Sequence, residues 1–177
     1  MIARFNFHPE LCVGCGACVL ACLDADDTDL SVRPPLRRLF KEERLRGGRV
    51  GLAYYSSACM HCTDAPCADA CPAGLFSKDG ETGLVLLDNS KCVGCGSCAK
   101  ACAFDGIRRD VNGKSWKCNG CGDYLELDRP PACVSACPRR AITVDEVNDV
   151  LETSRKRFSA KIRPLRDRAA RGNKRCI

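Results

Sequence analysis

The chain has 177 residues and a formal net charge of +6, and it contains 17 cysteines but only six Phe, three Tyr and one Trp. About one residue in ten is Cys, far above average usage, so covalent or metal links must replace part of an ordinary apolar core. The sequence has no apolar run of about 18 residues, which excludes a transmembrane helix, and its start, MIARFNFHPELC, has neither an apolar signal region nor a twin arginine, so we expect no export signal.

A short strand, ARFNF, is predicted near the start of the chain. Four groups of four cysteines follow it. One further cysteine, Cys176, lies near the C-terminus and is predicted to be a free thiol. In groups one and three, two, two and three residues separate successive cysteines. The intervals are two, four and three residues in group two, and two, eleven and three in group four. The members are Cys12, Cys15, Cys18 and Cys22 in group one, Cys59, Cys62, Cys67 and Cys71 in group two, Cys92, Cys95, Cys98 and Cys102 in group three, and Cys118, Cys121, Cys133 and Cys137 in group four.

Three kinds of chemistry use cysteines in such numbers. Disulfides need an oxidising compartment, and the expected lack of an export signal argues against one. Structural zinc takes four thiolates per ion, usually from two separated Cys-x2-Cys knuckles, and only group four resembles that pattern. In iron–sulfur proteins, a Cys-x2-Cys-x2-Cys loop wraps one face of a 4Fe–4S cubane, while a fourth Cys, three residues on, ligates the other cluster of a pair.

Groups one and three match the iron–sulfur loop, and Pro72 and Pro138 follow the last cysteine of groups two and four, as in bacterial ferredoxins. Leu23 and Ala103 stand at that position after groups one and three, which is a mild departure. Four such motifs supply sixteen ligands and predict four 4Fe–4S clusters. Glycines beside the cysteines suit positive φ and close backbone approach, the alternative being plain flexible loops; they are Gly14, Gly16, Gly94, Gly96, Gly120 and Gly122.

Two strands around a Gly47-Gly48 turn are predicted over residues 36–56, between groups one and two. A hairpin is predicted between groups two and three, with strands at Leu75-Phe76 and at Leu84 to Leu87 and turn residues between them. Groups two and three would therefore form a unit of their own, which leaves groups one and four to pair around it.

We therefore expect an α+β chain of two nested bacterial-ferredoxin-like units with two 4Fe–4S clusters each, one unit inserted in the other. The outer unit would comprise residues 1–49 and 112–145, with ARFNF and a second strand, AITV, as its outer strands. The inserted unit would span residues 50–111. Residues 146–177 would form a C-terminal helix and a basic docking tail.

A capping-box signature at Thr143–Glu146 predicts that this helix begins there and continues to Phe158, packed either on its own core or on a partner. Residues 155–177 hold ten Lys or Arg against Asp167 alone. We expect a subunit-docking arm that is disordered until bound, the alternative being a plain solvated tail. Nucleic acid is disfavoured because only Phe158 could stack on a base.

Four residues beside the cysteines could tune a cluster by hydrogen bonding or charge, although packing or exposure is the simpler explanation. They are Met60, His61, Trp116 and Lys117. The glycines of the cysteine loops form no nucleotide-binding loop, and no catalytic triad or carboxylate pair is recognisable. We therefore expect no catalytic residues on this chain.

Over residues 1–145 the chain resembles the iron–sulfur subunits of the dimethyl sulfoxide reductase and formate dehydrogenase family, in the strings CMHCTDAPCADACP and CNGC…RPPACVSACP and in all four spacings. No cysteine is replaced, so no 3Fe–4S variant is expected. The resemblance implies four ligand sets in which the last cysteine of each group serves the neighbouring cluster. They are set 1, Cys12, Cys15, Cys18 and Cys137; set 2, Cys118, Cys121, Cys133 and Cys22; set 3, Cys59, Cys62, Cys67 and Cys102; and set 4, Cys92, Cys95, Cys98 and Cys71.

The same resemblance implies a separate catalytic chain, with molybdenum or tungsten bound by a pterin, next to the outer unit, and a second redox partner facing the inserted unit. This chain would relay electrons between them, with no direct membrane span. The expected lack of a signal favours the cytoplasm, although such subunits can be exported with a signal-bearing catalytic partner. The alternatives are an accessory polyferredoxin of a hydrogenase or formate–hydrogen system, and a zinc-bound interaction module.

Overall fold

A computed structural model describes residues 4–145, 159–165 and 167. Within them, eight strands and five short helices are followed by helical residues at 159–165. The strands are β1 (Arg4–Phe7), β2 (Arg38–Arg46), β3 (Arg49–Ser57), β4 (Phe76–Lys78), β5 (Val85–Leu87), β6 (Ile107–Arg109), β7 (Ser115–Lys117) and β8 (Ile142–Asp145). The helices are α1 (Ala17–Ala25), α2 (Pro66–Asp69), α3 (Ser97–Ala101), α4 (Gly122–Glu126) and α5 (Ala132–Ser135). This mixture of short helices and strands agrees with the expected α+β class.

The two outer strands predicted from ARFNF and AITV are present, and they pair with each other. β1 and β8 are antiparallel, with Phe5 opposite Val144 and Phe7 opposite Ile142. In addition, α1 packs against α5, and α2 packs against α3. Because α1 carries cysteines of group one and α5 carries one of group four, the first and last groups meet, as groups two and three do at α2 and α3.

The hairpin predicted over residues 36–56 is confirmed as β2 and β3, which pair along their whole lengths. Its two turn glycines, Gly47 and Gly48, have φ of 55° and 76°, as a two-residue hairpin turn with positive φ at both positions requires. The hairpin is buried at its base, where Phe40 and Tyr55 are each 1% exposed. It therefore joins the core at one end and enters solvent at the other.

Two shorter hairpins follow along the chain. The one predicted between groups two and three is confirmed as β4–β5, with Phe76 opposite Leu87. The other, β6–β7, was not predicted, although Asn112-Gly113 between its strands is a strong hairpin signal. It leads from group three directly to group four, and its turn crosses the expected unit boundary between residues 111 and 112.

Cysteines contribute to the hydrophobic core alongside the few aromatic residues. Phe5, Phe40 and Tyr55 are almost fully buried and belong to the same cluster of buried residues as Cys18 and Cys133. A smaller buried cluster consists of Cys67, Cys98 and Ile107. Side chains that bear thiols thus occupy positions that larger apolar residues hold in most domains of this size.

The described part of the C-terminal segment differs from the sequence expectation. Thr143 lies in β8, so the predicted helix does not begin there; pairing with β1 prevails over the local capping signal. Residues 146–158, which include the rest of that helix, lie outside the described residues, as do residues 168–177 of the tail. Residues 159–165 are helical, and Ile162 and Leu165 are buried in the main core, at 0% and 7% exposed. The expectation of an arm that is disordered until bound is therefore wrong for this segment.

We expect Phe5→Ala to destabilise the fold, because its side chain is buried where β1 pairs with β8. Truncation of a buried Phe costs about 3–5 kcal/mol, which should lower the midpoint of anaerobic urea unfolding. Leu45→Ala is the control, since Leu45 is 79% exposed on β2 and surface substitutions usually change stability by less than about 0.5 kcal/mol. Equal midpoints for the two variants would contradict the assigned core.

Candidate metal centres

Four cysteines from distant parts of the chain line a cysteine-rich cavity, the first of three that lie within the described residues. Its lining includes Phe7 and Ile142 of the β1–β8 pair. Its cysteines are Cys12, Cys15, Cys18 and Cys137, which make up the whole of set 1. Cys137 reaches the loop of group one because the strand that follows it, β8, pairs with β1.

The second and third cavities combine cysteines of groups two and three. The second is lined by all of set 3, namely Cys59, Cys62, Cys67 and Cys102. The third is lined by all of set 4, namely Cys71, Cys92, Cys95 and Cys98. The packing of α2 against α3 explains the exchange, because it places the cysteine that ends each group beside the loop of the other.

The members of set 2 lie around the contact between α1 and α5. Cys22 is on α1, Cys133 is on α5, and Cys121 immediately precedes α4. Burial, with the nearby sulfurs of Cys118 and Cys133 as further causes, raises the pKa of the Cys22 thiol to about 12. Burial and the Cys133 sulfur likewise raise the pKa of Cys121. Thiols whose ionisation is opposed by burial and by one another suit a cationic iron core, which would relieve both effects.

Backbone N–H groups donate to at least one cysteine sulfur in every set, which fits thiolate ligands of iron. The bonds run from His61 N to Cys59 Sγ at 3.4 Å, Gly106 N to Cys102 Sγ at 3.2 Å, Ser115 N to Cys92 Sγ at 3.4 Å, Gly120 N to Cys118 Sγ at 3.2 Å, and Ala141 N to Cys137 Sγ at 3.2 Å. Such bonds favour the thiolate, which is the form that ligates metal. Within the described residues, no three His, Cys, Asp or Glu side chains lie close enough together to hold a single metal ion.

Five of the six glycines beside the cysteines have positive φ, whereas Gly122 begins α4 and Cys121 adopts the positive φ of that loop instead. The predicted positive φ is thus confirmed at five of the six glycines. Gly94 also needs its small size, because a Cβ there would lie 2.8 Å from the carbonyl oxygen of Gly113 in the β6–β7 turn.

A buried polar bridge that the sequence analysis missed connects set 1 with set 2. Arg37, which is 3% exposed, donates from Nη1 to Ser56 Oγ at 3.0 Å and from Nη2 to Cys133 Sγ at 3.4 Å. The Ser56 hydroxyl lies 3.3 Å from Cys18 Sγ. Burial opposes the charge of Arg37, but the surrounding cysteine thiolates prevail and raise its pKa. No local signal distinguishes Arg37 from the arginines near it, because only the folded hairpin buries it.

His61 and Lys117 are also buried, near cysteines of sets 2 and 3. His61 Nδ1 accepts a hydrogen bond from Val85 N at 3.0 Å, and Lys117 Nζ donates to the carbonyl oxygens of Cys118, at 2.7 Å, and Val85. Burial lowers the pKa of His61, but the sulfurs of Cys59 and Cys118 outweigh it and raise the pKa to about 9. These two residues are therefore in position to act electrostatically on both sets.

The described contacts of Met60 are with the core, and those of Trp116 are with the side chains of Asp110 and Arg33. Met60 is buried in the main core. Trp116 Nε1 donates to the Asp110 carboxylate at 3.0 Å, and the guanidinium of Arg33 lies 4.7 Å from the centroid of the Trp116 ring.

Two cysteines are exposed, Cys15 and Cys95, while the other cysteines in the described part of the chain are buried or partly buried. Each lies in a loop with an exposed valine, Val13 at 56% and Val93 at 81%. Cys15 belongs to set 1 and Cys95 to set 4. These two sets therefore reach the protein surface.

The chain is similar to families and proteins that are already known. The family described as a 4Fe-4S dicluster domain matches residues 50–147, and the one described as a 4Fe-4S binding domain matches residues 5–22. The chain is 33% identical over 159 residues to the B subunit of anaerobic dimethyl sulfoxide reductase from Haemophilus influenzae, covering 82% of this chain and 75% of that protein. It is 33% identical over 141 residues to thiosulfate reductase electron transfer subunit PhsB of Salmonella typhi, covering 78% and 72%. It is 37% identical over 138 residues to NADH-dependent phenylglyoxylate dehydrogenase subunit beta of Aromatoleum evansii, covering 77% of this chain and only 28% of that protein.

We expect Gly94→Ala to lose iron faster than Gly96→Ala in the same loop. The two glycines have nearly the same φ, 73° and 76°, so each alanine meets a similar backbone cost of about 1–2 kcal/mol. Only at position 94 would the Cβ lie within 3 Å of a backbone atom, the carbonyl oxygen of Gly113. The measurement is the iron retained per chain during anaerobic incubation with a chelator. Equal rates of loss would show that the close approach to Gly113 is unimportant.

Proposed function

Because the chain belongs to the 4Fe-4S dicluster domain family and is an electron-transfer subunit with four 4Fe–4S clusters, we propose that it relays single electrons between a molybdenum- or tungsten-pterin catalytic chain and a second redox partner. The main support is that three complete ligand sets each surround a cavity and that two sets reach the surface. Substrate chemistry then belongs to the catalytic partner.

Each cluster is held by one of the four ligand sets. Set 1 holds cluster 1, and sets 2, 3 and 4 hold clusters 2, 3 and 4. The cavities lined by sets 1, 3 and 4 support this assignment, and for set 2 the support is the electrostatic contact among Cys22, Cys118 and Cys133. The clusters supply the redox chemistry, while the chain holds them by thiolates and donates N–H bonds to their sulfur ligands.

The two ferredoxin-like units are nested. Residues 1–49 and 112–145 form the outer unit around clusters 1 and 2, and residues 50–111 form the inserted unit around clusters 3 and 4. The antiparallel pairing of β1 with β8 and the packing of α1 on α5 support the outer unit. The packing of α2 on α3 supports the inserted one.

Electrons pass along the clusters in the order 1, 2, 3, 4 or the reverse. The Arg37–Ser56 bridge joins ligands of clusters 1 and 2. His61 lies near Cys59 of cluster 3 and Cys118 of cluster 2. Cys67 of cluster 3 and Cys98 of cluster 4 pack together with Ile107 in one group of buried side chains. These contacts link successive members of the series.

The two ends of the series are the places where partners exchange electrons with the chain. Cys15 of cluster 1 and Cys95 of cluster 4 are exposed beside Val13 and Val93. Exposed apolar residues around a redox centre suit a protein interface. The catalytic chain docks on the outer unit at cluster 1, and the second redox partner docks on the inserted unit at cluster 4.

The proposed partners are proteins, not nucleic acid. The relatives named above include one subunit of dimethyl sulfoxide reductase and one of thiosulfate reductase, so each is part of a larger enzyme.

No helix in the described parts of the chain is long and apolar enough to cross a membrane. The complex lies in the cytoplasm, or is exported together with a catalytic partner that carries a signal.

A second candidate function is an accessory polyferredoxin that serves another kind of oxidoreductase. The 37% identity to a subunit of phenylglyoxylate dehydrogenase favours it, because that relative is named as part of an NADH-dependent enzyme. The two functions require different partners and are distinguished by what the chain binds.

Anaerobic co-purification from the native host, with metal analysis, tests the proposed function. We expect about sixteen iron atoms per chain, four for each cluster, together with a larger chain that contains molybdenum or tungsten. Turnover of that complex should be lost when the clusters of this chain are removed. Sixteen iron atoms without such a partner would favour the polyferredoxin, and zinc in place of iron would contradict both.

Paired cysteine substitutions test the ligand sets by counting iron. We expect Cys137→Ser combined with Cys12→Ser to affect one cluster, about four iron atoms, because both residues belong to set 1. Combination of Cys137→Ser with Cys118→Ser should affect two clusters. Cys22→Ser offers the matched control, since it should share a cluster with Cys118 and not with Cys12. Iron losses in the opposite pattern would show that Cys137 and Cys22 serve the clusters of their own groups.

A further inference from the structure

A continuous polar bridge runs from Cys18 through Ser56 and Arg37 to Cys133. Given the ligand sets proposed above, on which this inference rests, it joins a ligand of cluster 1 to a ligand of cluster 2. We propose that the guanidinium of Arg37 is a permanent positive charge between these two clusters, and that this charge raises the reduction potentials of both.

Burial makes this charge effective. Arg37 is 3% exposed and Ser56 is 2% exposed, and the sulfurs at the two ends belong to the buried cysteines Cys18 and Cys133. Water and salt screen a buried charge far less than a charge at the surface. A guanidinium stays protonated at all physiological pH values, so its effect on the two clusters does not depend on a titration.

The partners of Arg37 set it apart from the other buried arginines. Arg33 pairs with Asp26, and Arg108 pairs with Asp105. Within the described residues, Arg37 forms no ion pair with a carboxylate, and its bonds go to a hydroxyl and a sulfur. The negative charge that balances Arg37 therefore comes from the cysteine thiolates. In addition, Nε of Arg37 is a buried donor without a protein partner in the described structure.

The sign of the effect follows from electrostatics. A 4Fe–4S cluster with four thiolates carries a net negative charge, and reduction adds one electron to it. A fixed cation beside the ligands stabilises the reduced form more than the oxidised form. Hydrogen bonds to cluster sulfurs act in the same direction. Without Arg37, clusters 1 and 2 should both be harder to reduce.

A purely structural role is the competing explanation, since Arg37 directly precedes β2 and bonds to Ser56 on β3. In that case Arg37 would only fix the base of the hairpin. Its removal would change stability or iron content but would not shift the potentials of two clusters selectively.

Redox titrations of the iron-loaded chain, monitored by electron paramagnetic resonance, distinguish the two roles. The unmodified chain should show four one-electron 4Fe–4S centres, and fewer would contradict the proposed function whatever the variants show. In Arg37→Gln, two of the four potentials should become more negative while the other two stay unchanged. Arg37→Lys retains the charge and should restore both potentials towards their original values.

Two further variants complete the experiment. Arg44→Gln removes a guanidinium of the same β2–β3 hairpin that bonds to Glu42 and Tyr55, and it should leave the four potentials in place. Ser56→Ala removes the hydroxyl beside Cys18 without changing any charge, and it should shift cluster 1 alone to a more negative potential. If Arg37→Gln fails to hold its iron, Ser56→Ala decides: a selective shift supports the bridge, and no shift overturns it. Four unchanged potentials in loaded Arg37→Gln, or an equal shift of all four, would also overturn it.

Discussion

The antiparallel pairing of β1 with β8 is the interaction on which the arrangement of the cysteines depends. It is only four residues long, yet it joins strands that lie on either side of all sixteen grouped cysteines. With this pairing, Cys137 lines a cavity together with the cysteines of the first loop, and α5 lies against α1.

The individual elements are too small to be stable alone. Apart from α1, the named helices have four or five residues, and the strands in the described part of the chain pair only in twos. Isolated helices of this length are not stable in water, and single hairpins are marginal. Burial around Phe5, Phe40 and Tyr55 and the binding of clusters by thiolates must supply the missing stability. For such metal-dependent domains, the free energy of metal binding becomes free energy of folding.

Buried sulfur also imposes an electrostatic requirement. Sixteen thiolates with four cubane cores of charge about +2 add roughly −8 to the chain. Backbone N–H groups stabilise part of this negative charge by donating hydrogen bonds to the sulfurs of Cys59, Cys92, Cys102, Cys118 and Cys137. Arg37, His61 and Lys117 place cationic or polar groups near the junctions between sets, where negative charge from two clusters meets. The same groups are therefore part of the stability of the fold and of its redox behaviour.

The sequence by itself determined the chemistry, because cysteine spacing is local and a short loop is enough to define one face of a cubane. It also predicted the strands ARFNF and AITV, the hairpin over 36–56 and the hairpin between groups two and three, each of which has its own turn or alternation signal. Tertiary structure alone decided the burial of Arg37 and Ser56 between two sets and the helical course of residues 159–165 against the core. These features depend on contacts between residues far apart in the chain, and neither the local pattern around Arg37 nor the capping signal at Thr143 carries that information.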